Sequence, residues 1–248
     1  MSALIAVELR RFWARRVPWI LAALMLMGIA NAGGAAFWQE GFDLRDLQHG
    51  FIGASVALML VGLIVGASFI GAEWHAGTVV TLLTWEPRRD RVIVAKVIAL
   101  LVSTVVLVFA ALVLLGLVLV LGAATRGTTT GLDGSWWLDL VGVTLRVEFL
   151  ACFAAVIGFG LGTIGRSTAG ALGAVFGYML VVENLIRGLE PKLRDWLVGE
   201  NIGRFLLDEP GEMPSLGRST IGAGLDLLFV ACLILAVTVG VFRTRDVT

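Results

Sequence analysis

The chain has 248 residues, 58% of them hydrophobic and 15% charged, and its formal net charge is zero. A soluble domain of this length would be about half apolar and about a quarter charged, so this composition excludes an ordinary soluble domain. The apolar residues are grouped in long runs, which predicts membrane-spanning helices. A net charge of zero gives no reason to expect a nucleic-acid partner. The two histidines and two cysteines are scattered, so no metal site is predicted.

Residues 1–17 have the pattern of an amphipathic helix that lies in the cytoplasmic membrane interface. Ile5 and Leu9 share one face, and Glu8 lies on the other with basic residues. A basic collar precedes the first long apolar run, formed by Arg10, Arg11, Arg15 and Arg16. A signal peptide is the alternative, since its first part is also basic. The apolar run at 17–37 exceeds the roughly 7–15 residues of such a peptide's core, which favours a span.

Six apolar runs are long enough to cross a membrane as helices. They are expected at about residues 18–37, 49–70, 92–121, 140–164, 168–186 and 222–242. The predicted fold class is therefore an all-α polytopic membrane protein, with the whole chain, 1–248, forming one transmembrane domain.

The longest segment between spans is 187–221, and it contains three prolines and many charges. Leu193, Trp196 and Leu197 indicate a short amphipathic helix within it. These features argue against a free tail, so the segment is expected to be folded on the outer side of the membrane, as a lid over the substrate route.

Small residues recur at four-residue spacing on two of the spans, which permits close helix packing. Gly62 and Gly66 lie on the second span, and Ala169, Gly173 and Gly177 lie on the fifth. We interpret these faces as the contact between two copies of the chain or as the lining of a substrate route. The ordinary glycine content of membrane helices is the alternative.

The fourth span contains two charged residues, Arg146 and Glu148. A charge at the centre of a membrane helix costs roughly 2.5–3.5 kcal/mol, so both side chains should face protein or water. They are two residues apart and therefore point to different sides of the helix. Lining of a substrate route and a structural ion pair with another helix are both possible roles.

Between the second and third spans, residues 71–86 read as a short amphipathic helix at the membrane surface. Glu73, Gly77, Thr81 and Thr84 follow helical spacing on one polar face. Pro87 disfavours helical geometry in the residue before it, so the helix is expected to end there. Near a helix N-terminus, the Glu73 carboxylate would either interact with the macrodipole or present its charge to a partner.

The same stretch carries a family signature. Its elements are Gly71, Glu73, Gly77, Thr78, Leu82, Leu83, Pro87, Asp90 and Lys96. This arrangement resembles the signature of the ABC-2 type transporter permeases, which are membrane subunits of type V ABC exporters. The family usually has one arginine shortly after the proline. Here Arg88, Arg89 and Arg91 surround Asp90, so the charge is shifted or duplicated.

The resemblance implies that residues 71–86 form a coupling helix, which docks on a separate ATPase subunit. The residues expected to contact that partner are Glu73, Gly77, Thr78, Thr81, Thr84, Arg88, Arg89 and Arg91. It also implies a permease homodimer or heterodimer with two ATPase copies that hold ATP and Mg. The substrate route would lie at the dimer axis and be lined mainly by the second and fifth spans. Members of the family usually export drugs, peptides, lipids or polysaccharides.

No phosphate-binding loop of the form Gly-x-x-x-x-Gly-Lys-Ser/Thr occurs, so this chain is not expected to hydrolyse ATP itself. Lys and Arg are most frequent in the short segments on the N-terminal side of the membrane, which predicts that both termini are cytoplasmic. The expected location is the plasma membrane, the inner membrane of a bacterium. A secondary transporter and a non-transporting anchor or sensor for an ATPase remain the alternative functions.

Overall fold

The computed structural model describes residues 1–38, 42–78, 88–130, 132–207 and 219–244. Within these residues the secondary structure is helical, apart from an isolated bridge between Asp43 and Thr128. The α-helices are α1 (Ser2–Trp13), α2 (Arg16–Trp38), α3 (Leu47–His75), α4 (Arg89–Arg126), α5 (Gly134–Gly165), α6 (Thr168–Gly177), α7 (Glu183–Leu189), α8 (Val198–Leu207) and α9 (Thr220–Thr244).

Six of the described helical segments are long and apolar enough to cross a membrane. Helices α2, α3, α4, α5 and α9 supply five of them. The fifth in chain order is continuous from Thr168 to Leu189, because a π-helical turn at Tyr178–Val182 joins α6 to α7. This architecture confirms the predicted fold class of an all-α polytopic membrane protein. The helix predicted at residues 1–17 is shorter, ending at Trp13, and its place at a membrane surface stays a prediction.

The fourth span begins at Gly134, several residues before the predicted boundary, because Asp133 caps the helix. Its carboxylate accepts hydrogen bonds from the N–H of Trp136 at 3.0 Å and from the hydroxyl of Ser135 at 2.8 Å. The hydrogen bond from Trp136, reinforced by the one from Ser135, holds the pKa of Asp133 below its usual value. A satisfied N-cap therefore sets the start of the span, where the apolar pattern alone placed a loop.

Helices α3 and α5 form the centre of the bundle through backbone-to-backbone packing. A Cβ atom on Gly62 would stand 2.3 Å from the carbonyl oxygen of Ala151, and one on Gly66 would stand 2.0 Å from that of Ala155. The two glycines therefore pack inside the chain. This corrects the prediction that they form the face between two copies.

The fifth span keeps its small residues uncovered. Gly173 and Gly177 have no atom within 4 Å of an added Cβ, so their face remains open for a second copy or a substrate. Ala171 of α6, by contrast, is covered, with 1% exposure. The use of this face in pairing stays a prediction.

The segment that follows the fifth span is folded as far as the structure describes it. A 3₁₀-helix at Pro191–Trp196 occupies the position of the predicted amphipathic helix, and α8 follows it. Phe205 of α8 packs against Phe149 of α5, with 5.1 Å between ring centroids. The same ring lies against Gly224 of α9. Residues 208–218 of the predicted lid lie outside the described residues.

Candidate functional site

The first signature residues, Gly71 and Glu73, lie at the C-terminal end of α3. The N–H of Ala76 bonds the carbonyl of Ala72 at 3.0 Å, and the N–H of Gly77 bonds that of Trp74 at 3.2 Å. Gly77 then adopts a φ of 67°, the left-handed conformation that glycine favours after a helix. The second span therefore continues to His75. The predicted coupling helix, 71–86, therefore does not begin at residue 71, because the chain is still in α3 at that point. Residues 79–87, which hold the rest of that predicted helix and Pro87, lie outside the described residues.

Glu73 lies in a buried cluster of charges that joins three helices. The Nζ atom of Lys96, on α4, is 2.9 and 2.8 Å from the two carboxylate oxygens of Glu73. The same ammonium donates to Glu8 of α1 at 2.7 Å. The side chains of Lys96 and Glu8 are 1% and 0% exposed, respectively. Each charge therefore depends on its partners, because the burial of an unpaired charge is costly.

Two arginines complete this ion cluster. Arg15, between α1 and α2, donates to Glu73 at 2.7 Å and to the carbonyl of Phe69 at 2.8 Å. Burial lowers the pKa of the Arg15 guanidinium, and the carboxylates of Glu73 and Glu8 oppose this effect. Arg11 pairs with Glu8 at 2.9 Å but remains 44% exposed. The ion cluster, Glu8, Arg11, Arg15, Glu73 and Lys96, fixes the ends of α1, α3 and α4 together.

Both earlier interpretations of Glu73 are therefore corrected. Glu73 lies near the C-terminus of a helix, where the macrodipole disfavours a carboxylate, and not near an N-terminus. Its charge is also held by Lys96 and Arg15 inside the chain, so it does not face outward towards a partner. Only 8% of its side chain is exposed.

Trp74, the next residue, makes a second set of contacts on a different side of the α3 end. The Arg166 guanidinium carbon lies 4.5 Å from the centroid of the indole ring, a cation–π distance. Phe242 of α9 meets the same ring edge-on, with 6.3 Å between centroids. Arg166 lies between α5 and α6, so Trp74 connects α3 both to that turn and to α9.

The start of α4 is bound to the end of α9. Arg89 donates to the carbonyls of Phe242 at 3.0 Å and Arg243 at 3.1 Å, where a helix C-terminus attracts a cation. Asp90 forms a two-pronged ion pair with Arg243, in which Nη2 to Oδ2 is 2.8 Å. Arg89 is thus used within the chain, which corrects its assignment to the contact with a partner.

The remaining residues of the predicted coupling surface have different outcomes. Arg88 is exposed, and Arg91 is half-buried with contacts of its own. Thr78 is exposed, and its hydroxyl donates to the carbonyl of Glu73 at 3.3 Å. Thr81 and Thr84 lie outside the described residues. Partner contact through these positions stays a prediction.

Arg146 and Glu148, the charged pair of the fourth span, lie away from the junction at the end of α3, which consists of the ion cluster, Trp74 and Arg166. Arg146 is half-buried and has an interaction partner. Both carboxylate oxygens of Glu148 are buried and make no hydrogen bond to a described residue. The described residues therefore give Glu148 no ion pair with another helix.

Sequence reasoning missed four residues of this junction, namely Glu8, Arg15, Trp74 and Arg166. One signal was available, since Glu8 is the only acidic residue among the first 17. A single acid among basic residues, and a lysine early in an apolar span, are each energetically unfavourable if unpaired. An ion pair between Glu8 and Lys96 would account for both. Nothing local marks Trp74 or Arg166, because their contact depends on how distant helices pack.

A family profile described as ABC-2 family transporter protein matches residues 21–190, more than half of the chain. No match was found among curated proteins. The matched range holds Glu73, Trp74, Lys96 and Arg166, whereas Glu8 and Arg15 precede it. On this match, the chain belongs to the ABC-2 family of transporter proteins.

Proposed function

We propose that this chain is the permease subunit of an ABC exporter, powered by ATP that a separate ATPase subunit hydrolyses with Mg. Its membership of the ABC-2 family makes it a membrane subunit of an ABC transporter. The direction of transport, the class of substrate and the ATPase partner are our proposal. In the complete transporter, two permease copies, identical or different, would pair with two ATPase copies.

The observation that carries the proposal is that a short exposed stretch of chain directly follows the junction at the end of α3. Ala76, Gly77 and Thr78 are exposed and follow Glu73 and Trp74 directly. A partner that binds this exposed stretch would push or pull the end of α3. The ion cluster would pass the displacement to α1 and α4, and Trp74 would pass it to α9 and to the α5–α6 turn.

Under this proposal, the α1 end of the bundle faces the cytoplasm, where ATP is available. Exposed arginines lie at this end, Arg10 on α1 and Arg88 before α4. Both termini would be cytoplasmic, and the folded segment that contains α8 would be outside. Positive charge in short segments favours the cytoplasmic side, which supports this orientation.

Two apolar cavities support a hydrophobic or amphipathic substrate, such as a lipid, a peptide or a hydrophobic small compound. A cavity of about 820 Å³ lies between α2, α3 and α4, with lining residues such as Met25 and Leu112 and with Asp46 and His49 among its few polar ones. Another, of about 750 Å³, lies between the fifth span and α3, α5 and α9. Both fall within the roughly 300–1,000 Å³ of small-molecule sites. No charged residue is among those that line the second cavity in the described part of the chain.

The test begins with the native protein, purified from its own membranes in mild detergent. We expect mass spectrometry to find a subunit with a phosphate-binding loop, and we expect the complex to hydrolyse ATP in a vanadate-sensitive manner. Ala76→Trp should reduce the amount of this subunit recovered, because Ala76 is exposed beside the junction. The matched control is Ala124→Trp, which changes an exposed alanine at the opposite end of α4.

Three results would contradict the proposal. Absence of any ATPase from the wild-type complex would favour a secondary transporter. ATP hydrolysis that drives no movement of labelled lipids, peptides or hydrophobic dyes in proteoliposomes would favour an anchor or sensor. Equal recovery of the ATPase from Ala76→Trp and Ala124→Trp would show that the partner binds elsewhere.

A further inference from the structure

The fifth span is attached to the rest of the chain mainly near its two ends. Across Thr168–Leu189, the buried residues are Ala171, near the start, and Glu183, near the end. The apolar cavity of about 750 Å³ separates the middle of this span from α3, α5 and α9. The π-helical turn at Tyr178–Val182 lies in the same stretch. A helix held in this way can change its angle at one end without breaking a packed interface along its length.

Two contacts fix the end of the fifth span that lies beside the junction. A Cβ on Gly71 would lie 2.7 Å from the backbone nitrogen of Thr168, so the two backbones touch there. The second contact is the stacking of Arg166 on Trp74. Gly71 and Trp74 are three residues apart on α3, about 4.5 Å along the helix axis. Two contacts at different heights resist rotation, whereas one alone would act as a pivot.

The backbone at Arg166 is unusual for its residue type. Its φ is 51°, in the left-handed region, and it is the one described non-glycine residue with positive φ. Glycine would adopt this conformation without steric strain. An arginine here is therefore disfavoured by the turn itself, and its side chain stacks on the residue that follows Glu73.

We propose that Arg166 is a positioning residue that transmits movement of the α3 end to the fifth span through Trp74, and so changes the cavity beside that span. This inference rests on the proposed function, because it assumes that a partner ATPase displaces the end of α3. Arg166 then determines whether the displacement turns the fifth span or is lost at the Gly71–Thr168 pivot.

The experiment measures the movement directly. Spin labels are placed at Val181 on the fifth span and Leu228 on α9, which are 63% and 47% exposed. The native cysteines are removed by Cys152→Ala and Cys232→Ala, and labelled chains are diluted with unlabelled ones. Pulsed electron paramagnetic resonance then compares the complex with its ATPase in two states, nucleotide-free and trapped with ADP and vanadate.

In the parent complex we expect the distance between the labels to shift on trapping. Arg166→Gly should abolish the shift while ATP hydrolysis continues, because glycine keeps the turn geometry and removes only the stacking side chain. Trp74→Leu should do the same, and Trp74→Phe should retain part of the shift because an aromatic ring remains. The double variant Trp74→Leu/Arg166→Gly should lose nothing further. Arg10→Ala, which removes an exposed arginine at the same end, is the control and should keep the full shift.

Four other results would overturn the inference, and each identifies which part of the argument is wrong. An unchanged shift in Arg166→Gly would refute the role of Arg166 and leave the proposed function intact. Additive losses in the double variant would show that Trp74 and Arg166 act separately. If the parent complex lacks an ATPase, both the proposed function and this inference fall. If it holds an ATPase but shows no shift on trapping, this inference alone falls.

Discussion

Replacement of Lys96 by methionine tests the ion cluster most directly. The change keeps the length and apolar stem of the side chain but removes the ammonium between Glu8 and Glu73. Each carboxylate would keep one cation, Arg11 for Glu8 and Arg15 for Glu73. The carboxylate of Glu8 is fully buried, however, and its remaining partner Arg11 is 44% exposed. The result is a buried negative charge that is only partly compensated.

Removal of one partner from a buried ion pair typically costs about 3–5 kcal/mol. For a chain of this size, each kcal/mol lowers the melting temperature by about 2–4 °C, so the expected fall is roughly 6–20 °C. Arg11→Ala provides the matched comparison, because it removes the other cation that contacts the same carboxylate of Glu8. That pair is partly exposed to solvent and is expected to contribute less than about 1 kcal/mol.

The assay is thermal unfolding of purified protein in one detergent, followed by loss of the monodisperse peak in size-exclusion chromatography. Adding Glu8→Gln to Lys96→Met should restore part of the stability, because it removes the charge left unpaired. Equal, small effects of Lys96→Met and Arg11→Ala would refute the reasoning. Failure of Glu8→Gln to rescue any stability would also refute it, since the loss would then come from packing and not from charge.

Three further predictions concern other elements. Gly66→Val should lower the melting temperature by the equivalent of about 1–3 kcal/mol, because its Cβ would clash with the carbonyl of Ala155. Gly173→Leu should leave the melting temperature nearly unchanged but weaken crosslinking between copies. Gly77→Val should cost roughly 1–2 kcal/mol for its left-handed backbone, and Gly77→Asn clearly less, in the same assay. The pKa of Asp133 is depressed in the folded state, so its stabilisation should be present above the unfolded pKa of about 3.9 and lost as the pH falls through the folded value. Asp133→Asn should remove this pH dependence when melting temperatures are measured over an acid pH series.

The sequence by itself determined the class of fold and the number of spans. A membrane leaves no water to satisfy backbone N–H and C=O groups, so each long apolar run must be a helix. The signature was placed directly after the second span, but Gly77 was predicted to lie inside a helix at 71–86, whereas the structure places it just after the last turn of α3. Which helix it ends was not readable, since apolar periodicity alone does not distinguish the last turn of one helix from the first turn of the next.

Only the tertiary structure decided what the signature residues do. Glu8 and Lys96 are 88 residues apart in the chain, and Lys96 bonds both Glu8 and Glu73 only because α1, α3 and α4 converge at one end of the bundle. The packing also placed Gly62 against Ala151 and not at an open face. The sequence pattern around a residue indicates whether its side chain prefers lipid, protein or water. The identity of its partner depends on where distant helices pack, because side-chain contacts reach only a few ångströms.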